Sequence, residues 1–159
     1  MMTHQQIEKW LISMKIAHCT IRKNGVVDVA GDVYLRNFEG TSLPIQFGTV
    51  AGRFNYFNSY ITSFEGTPQY VGGEFNCFNS KIPSFHNIHK QISHIGGGFY
   101  CTGSETHLLG LLMIDGITNF DIDNNGPIDK IFNKYIGTGD ILSAQDELID
   151  AGFIEQARL

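Results

Sequence analysis

The segments VAGDVYL (29–35), VAGRFNY (50–56), VGGEFNC (71–77) and IGGGFYC (95–101) are copies of one pattern, spaced by 21, 21 and 24 residues. The residues that follow recur too, since FNSYITSFEGTPQY (57–70) matches FNSKIPSFHNIHKQ (78–91). A period of this length is typical of proteins that stack one short unit on the next. One unit cannot cover its own apolar side, so stacking builds the core. The pattern predicts a small β-solenoid of about four rungs over residues 29–102.

Alternation within each copy predicts which side chains face the core. Successive residues of a strand point to opposite faces. The residues predicted to point inward are Val29, Val50, Val71, Ile95, Val33, Phe54, Phe75, Phe99, Leu35, Tyr56, Cys77 and Cys101. Each unit is predicted to be a turn, one short strand and a return loop. The glycine pairs 72–73 and 96–97 are predicted to permit a tight corner or a positive φ before that strand.

The flanking segments are predicted to close both ends of the array. Residues 3–15 have helical periodicity, and Thr3 with Gln6 matches a capping box. The Asn24-Gly25 pair indicates a hairpin. Beyond the array, the apolar run 108–114 is predicted to cover the open end. Helices are predicted at 128–135 and at 143–151, the latter with Ser143 and Asp146 as a second capping box. The chain is thus predicted to be one α+β domain, with a cap at 1–28, the array at 29–102 and a helical cap at 103–159.

Composition and charge argue against several classes of function. The 159 residues carry a formal net charge of −5 and no long run of like charge, which disfavours nucleic-acid binding. Three cysteines without CxxC spacing argue against a disulfide framework. No apolar run approaches the length of a spanning helix, and the first residues do not resemble a signal peptide. These features predict a protein of a reducing cytoplasm without a membrane segment.

The outer side of the predicted strands holds the candidate binding residues. Four aromatic rings are predicted to lie there as one strip, rimmed by polar groups, and such a strip is typical of a protein contact. The rings are Tyr34, Phe57, Phe78 and Tyr100, and the polar neighbours are Arg36, Arg53, Asn55, Glu74 and Asn76. Asp32, Arg53 and Glu74 alternate in sign and are predicted to pair between strands. The alternative is that a terminal segment covers the rings.

Other motifs are better explained by structure than by chemistry. The histidines at 86, 89 and 94 with Cys77 and Cys101 could suggest zinc, but the cysteines occupy core positions of the repeat. Residues 121–126 match the opening of a calcium loop, but position twelve is Phe132, so a polar turn is favoured. The glycine pairs lack the lysine of a phosphate loop. Neither Ser63 nor Ser84 lies in a nucleophile elbow. The sequence predicts no catalytic residues, no metal and no cofactor.

The repeat also resembles a known group of proteins. SFEGTPQYVGGEFNCFNS (63–80) and GTVAGRFNYFNS (48–59) resemble the leucine-rich-repeat-like units of uncharacterised proteins of tailed bacteriophages. The segments 7–16, 24–35 and 132–159 are similar to the beginning and end of such proteins. The resemblance implies a leucine-rich-repeat-like solenoid in a phage-encoded accessory protein that acts in the cytoplasm of the bacterial host. It implies no specific biochemical function.

These observations predict that the protein binds a partner and does not catalyse a reaction. The leading hypothesis is a non-enzymatic phage protein that binds a host protein, as an anti-defence or host-takeover inhibitor, through the exposed strand face. One alternative is a self-assembling structural protein that uses the same strip to form a homodimer. Another is a protein that sequesters a small nucleotide signal with Arg36, Arg53 and the nearby rings.

Overall fold

A pair of short strands is the building block of the fold. The computed structural model describes residues 1–159 and arranges ten strands in two five-stranded sheets on either side of one apolar core. The strands are β1 (Cys19–Ile21), β2 (Val27–Val29), β3 (Val33–Tyr34), β4 (Phe47–Val50), β5 (Phe54–Asn55), β6 (Tyr70–Val71), β7 (Phe75–Asn76), β8 (His94–Ile95), β9 (Gly98–Tyr100) and β10 (Asn119–Asp121). The helices are α1 (His4–Ser13), α2 (Ile88–Gln91), α3 (Pro127–Tyr135) and α4 (Ile141–Asp150), with a 3-10 helix at Leu109–Met113.

Each repeat supplies one strand to each sheet. We call the sheet β1-β2-β4-β6-β8 the back sheet and the sheet β10-β9-β7-β5-β3 the face sheet. All pairs are parallel except β1 with β2. The solenoid is therefore confirmed, but the prediction of one strand per repeat is wrong. The small residues in the middle of each copy form a corner, which turns the chain from the back sheet into the face sheet.

The array has five rungs, where four were predicted. Phe99 of β9 pairs with Phe120 of β10, and His94 of β8 forms a parallel bridge with Asp115. The segment 115–122 thus repeats the path of the fourth rung, and the array extends beyond the predicted boundary at residue 102. Alignment of the repeats missed this rung because its corner contains Ile117 and Thr118 where earlier copies have Ala-Gly or Gly-Gly.

The glycine corners are explained by close packing between rungs. A Cβ atom on Gly72 would lie 2.2 Å from the carbonyl oxygen of Ala51, and one on Gly96 would lie 2.3 Å from that of Gly72. Neither glycine has a positive φ, so of the two predicted alternatives the tight corner applies. A side chain here would push neighbouring rungs apart, because backbone contacts backbone.

The second corner of each rung is a left-handed residue that forms an asparagine ladder. Asn37, Asn58 and Asn79 have φ values of 57°, 56° and 55°. The side-chain amide of Asn58 donates to Asn37 Oδ1 at 2.7 Å, and that of Asn79 donates to Asn58 Oδ1 at 2.6 Å. Gly103 and Asn124 continue the left-handed corner in the last two rungs. Asparagine and glycine tolerate this backbone region better than other residues do.

Equivalent inward side chains of successive rungs stack in rows, which we call ladders, and form the core as predicted. Phe75 is fully buried, with its ring stacked on Phe99 at 5.4 Å and 7° and tilted against Phe54 at 5.6 Å. The next ladder brings Cys77 and Cys101 into the interior beside Tyr56. Burial raises the pKa of both thiols well above the usual value. These cysteines therefore act as small core residues.

The N-terminal segment contains the predicted helix and hairpin, although the helix is shorter than predicted. Thr3 and Gln6 form the predicted capping box, and α1 buries Ile7 and Leu11. The Trp10 ring packs against the core ring Phe47 at 6.3 Å. The predicted hairpin around Asn24-Gly25 joins β1 to β2. The apolar face of α1 thus closes the first end of the stack.

The C-terminal end is closed by α3 rather than by the apolar run 108–114. That run forms the 3-10 helix on the return side of the fourth rung, where it packs against α2. On α3, the Phe132 ring packs edge-on against Phe120 at 5.2 Å. The two predicted helices are confirmed, but α4 begins earlier than predicted. Its N-cap is Asp140, whose side chain accepts from the Ser143 backbone N–H, so the predicted capping box of Ser143 with Asp146 is wrong.

Thiol labelling provides a direct check of this core. We expect N-ethylmaleimide to modify Cys19 slowly in the folded protein, because Cys19 is half-buried and its pKa is raised by burial. Cys77 and Cys101 should react only after unfolding, since thiolate is the reactive form and neither side chain is accessible. Intact mass measured before and after denaturation counts the adducts. Rapid modification of either buried thiol in the folded protein would contradict the inward ladder.

Candidate binding surface

The predicted binding residues lie on the outer side of the face sheet and at its corners, in two columns that run across the rungs. The first of these columns lies on the strands themselves and contains Tyr34, Asn55, Asn76 and Tyr100. The next column, at the following corner, contains Arg36, Phe57, Phe78 and Thr102. Arg53 and Glu74 lie one position before their strands. The structure therefore brings the predicted residues onto one side of the molecule, but not into one uniform strip.

Phe57 and Phe78 form the most exposed apolar feature of this surface. Their rings are stacked, with centroids 5.9 Å apart and planes 11° from parallel. They are 38% and 43% exposed, although each is large and apolar. The two rings lie on the second and third of the five rungs, two residues beyond the ends of β5 and β7. We call them the phenylalanine pair.

The two tyrosines do not extend the phenylalanine pair, so the prediction of one contiguous strip is wrong. Asn55 and Asn76 occupy the strands between Tyr34 and Tyr100. Tyr34 is 41% exposed, and its hydroxyl donates to Asp32 at 3.1 Å. Tyr100 is half-buried, with its hydroxyl 3.5 Å from Glu74. The reason is that the tyrosines and the phenylalanines occupy repeat positions two residues apart, which share a face but lie at different points along the chain.

The asparagines hold the backbone of the phenylalanine pair. Asn55 Oδ1 accepts from the Phe57 N–H at 3.0 Å, and Asn76 Oδ1 accepts from the Phe78 N–H at 2.9 Å. Asn55 is buried, which corrects its prediction as an exposed contact residue. Each asparagine side chain thus bonds to the backbone two residues further on and stabilises the following turn. Both phenylalanines are therefore presented from a fixed backbone.

Charged groups on this surface are partly paired with one another. Arg53 lies 3.4 Å from Glu74, as the alternating charges predicted. Its guanidinium also donates to the Tyr34 hydroxyl at 3.4 Å, and the hydroxyl and Glu74 together raise the pKa of Arg53. Asp32 accepts from the backbone N–H of Arg53 at 2.7 Å, where a contact with the guanidinium was predicted. Arg36 lies over the Tyr34 ring at 5.5 Å.

Neither terminal segment covers the phenylalanine pair. α1 packs on Phe38 and Phe47 at the first end of the stack. The last residues run along the return side, where the backbone N–H groups of His107 and Leu108 bond to the carbonyls of Glu155 and Gln156. The alternative that the rings are covered within the chain therefore does not apply to the phenylalanine pair.

A second aromatic pair lies on the opposite side of the molecule. Tyr70 and His94 are stacked on the outer side of the back sheet, with centroids 4.5 Å apart and planes 6° from parallel. They occupy the position before Val71 and Ile95, which is Thr49 in the second rung. This pair could have been found from the sequence by extending the alternation one residue back. Substitutions in this pair can therefore serve as controls for substitutions in the phenylalanine pair.

The polar motifs singled out in the sequence make hydrogen bonds within the fold. No group of three or more His, Cys, Asp or Glu side chains is arranged to hold a metal ion. In the calcium-like segment, Asp123 accepts from the Ile128 and Asp129 N–H groups at 2.9 Å each. Ser84 lies 3.0 Å from His107 Nδ1, but the ring makes no hydrogen bond to a carboxylate that could orient it as in a triad.

Comparison with known proteins adds no relative. No protein-family model, curated protein or solved structure matches the chain. No helix has both the length and the apolar character needed to cross a bilayer.

Proposed function

We propose that this chain is a non-enzymatic accessory protein of a tailed phage that binds a host protein in the bacterial cytoplasm. The observation that carries the proposal is the phenylalanine pair, which stays exposed on the face sheet although the chain has segments at both ends that pack elsewhere. The resemblance of the repeats to phage leucine-rich-repeat-like proteins supports the phage and host assignment. Inhibition of a defence or regulatory factor is the corresponding role.

The energetics of the pair favour a macromolecular partner. Large aromatic side chains near the centre of an interface supply most of its binding energy, and a polar rim excludes water around them. Phe57 and Phe78 fit this description, because Arg36 and Thr102 occupy the same repeat position on the neighbouring rungs, and the exposed residues Asn58 and Asn79 follow them in the chain. The stack and the asparagine hydrogen bonds restrict the rings before binding. Little conformational entropy is then lost when a partner docks.

The nucleotide alternative has less support from the geometry. Sequestration would need Arg36 and Arg53 as phosphate ligands, but Arg53 is already paired with Glu74 at 3.4 Å. A carboxylate beside the guanidinium repels phosphate. Thermal melting against a panel of nucleotides tests this alternative. A rise in melting temperature with any of them would favour it over protein binding.

The test of the proposal uses one variant on each side of the molecule. We expect the double variant Phe57→Ser, Phe78→Ser to lose at least about 100-fold in affinity for the captured host protein, since central aromatic residues contribute about 2 kcal/mol or more each. The matched control is Tyr70→Ser, which removes an aromatic ring of similar exposure (41%) from the back sheet. Affinity capture from infected host lysate, followed by quantitative mass spectrometry, measures the difference.

Circular dichroism establishes that both variants are folded. Capture that survives in the double variant, or that is lost equally in Tyr70→Ser, would contradict binding through the face sheet.

A further inference from the structure

The two edge strands of the face sheet differ in whether their outward backbone groups are hydrogen-bonded. At the β10 end, the Asn133 side chain of α3 bonds to both backbone groups of Phe120: its Oδ1 accepts from the N–H at 2.7 Å and its Nδ2 donates to the C=O at 3.0 Å. A side-chain amide thus takes the place of the next strand. This end of the sheet cannot pair with another chain.

At the β3 end, the backbone of Tyr34 has no such cover. Val33 and Leu35 donate their N–H groups to the Arg53 and Asn55 carbonyls at 2.8 and 2.7 Å. Strand alternation turns the N–H and C=O of Tyr34, between them, toward the free edge. No side chain or loop bonds to these two groups. A cleft of about 430 Å³ runs along this edge, and Met14 and Lys15 form part of its wall.

The side chains beside this edge are self-complementary in charge. Asp32, Tyr34 and Arg36 share the outer side of the chain, and all are exposed. In an antiparallel pair centred on Tyr34, the Tyr34 of one copy lies opposite the Tyr34 of the other. Asp32 of each copy then lies opposite Arg36 of the other. Opposite charges at directly facing positions favour a strand pair, and like charges disfavour it.

We propose that two copies of this chain associate through their β3 edges about a two-fold axis, with Tyr34 exchanging both backbone hydrogen bonds. The observations that carry this are the uncovered edge, its contrast with the edge closed by Asn133, and the Asp32–Arg36 complementarity. A two-fold contact of this kind is closed, so it stops at a dimer. The two face sheets become one ten-stranded surface that presents two phenylalanine pairs to a partner.

The test uses charge reversal in pairs. Sedimentation equilibrium should give a monomer–dimer equilibrium for the native chain. Arg36→Asp places two acidic pairs across the axis, and Asp32→Arg places two basic pairs there. Each variant alone should weaken the dimer at least about tenfold, because two facing pairs change from attraction to repulsion. An equimolar mixture of the two variants should dimerise again, since the heterodimer has two opposite-charge pairs.

One further variant tests the backbone hydrogen bonds, and another controls for net charge. Tyr34→Pro removes the outward N–H, which makes no bond inside the chain, and should also yield monomers. Lys81→Glu reverses an exposed charge on a return loop and should leave the dimer unchanged. Melting temperatures establish that each variant is folded.

Three results would overturn the proposal: a native chain that stays monomeric at high micromolar concentration, a dimer that tolerates both charge reversals, or a mixture that fails to dimerise. Dimerisation and host capture are separable by experiment. The Phe57→Ser, Phe78→Ser variant should still dimerise, and loss of the dimer alone leaves the phenylalanine pair intact.

Discussion

Replacing Phe75 with alanine should lower the free energy of unfolding by about 3–5 kcal/mol, the usual cost of emptying a fully buried phenylalanine site. Phe75 has no exposed surface and contacts the rings of Phe54, Phe99 and Tyr56 at 5.6, 5.4 and 5.6 Å. Its rung is the third of five, so the cavity interrupts the ladder near its middle. Because each rung contacts only its neighbours, rungs farther along the array cannot compensate for the lost contacts.

Urea denaturation monitored by circular dichroism measures this loss, and Phe78→Ala is the matched control. Phe78 comes from the same rung but is 43% exposed and stacks on one ring only. Its removal should cost about 1 kcal/mol or less, the range of a single aromatic pair. Equal losses in the two variants would contradict the assignment of these residues to opposite faces.

Replacing Asp129 with alanine should lower the free energy of unfolding by about 3–5 kcal/mol, because buried N–H groups lose a charged acceptor. The Asp129 carboxylate is buried and accepts from the backbone N–H groups of Ile122 at 2.6 Å, Asn125 at 2.7 Å and Asp123 at 3.4 Å. Without it, the loop that joins the fifth rung to α3 has no partner for these donors. The variant should therefore loosen the closed end of the array.

Two controls make the Asp129 result specific. Asp129→Asn keeps one oxygen acceptor and should lose an intermediate amount. Asp146→Ala removes an exposed carboxylate without a hydrogen bond and should change stability by no more than about 0.5 kcal/mol. Thermal melting with added calcium chloride or EDTA should give the same midpoint, since these carboxylates are occupied by backbone donors. A midpoint that rises with calcium would contradict this assignment.

Most of the array could be predicted from the sequence because its two rules are local. A fixed spacing identifies equivalent residues, and alternation decides which of them face inward. Val33, Phe54, Phe75 and Phe99 were assigned to the core in this way, and all four are buried. The capping box of Thr3 and Gln6 is equally local.

The features that were missed depend on contacts between distant residues. The fifth rung lacks the small corner residues of the other copies, and its pairing with β8 and β9 reveals it. The β10 edge is closed by Asn133, whose role depends on where α3 lies. The glycine corners were predicted, but their cause was not: it is the approach of one rung to the next, as between Gly72 and Ala51.

The candidate site was predicted only in part, because some of its features also depend on contacts that no local pattern specifies. Composition and alternation identified Phe57 and Phe78 as outward residues, which the structure bears out. They could not predict that Asn55 turns its side chain to the backbone. The repeat positions themselves already separate Tyr34 and Tyr100 from the phenylalanine pair, although the prediction of one strip merged them. Exposure of the pair also depended on where the terminal segments pack, which no local pattern specifies.

Photo-cross-linking in infected cells tests the central claim most directly. Benzoylphenylalanine is incorporated in place of Phe57 in one strain and in place of Tyr70 in another, and cross-linked products are identified by mass spectrometry. Binding through the face sheet predicts one host protein joined at position 57 and none at position 70. A host protein joined at position 70 but not at position 57 would contradict it, as would the absence of a product at both.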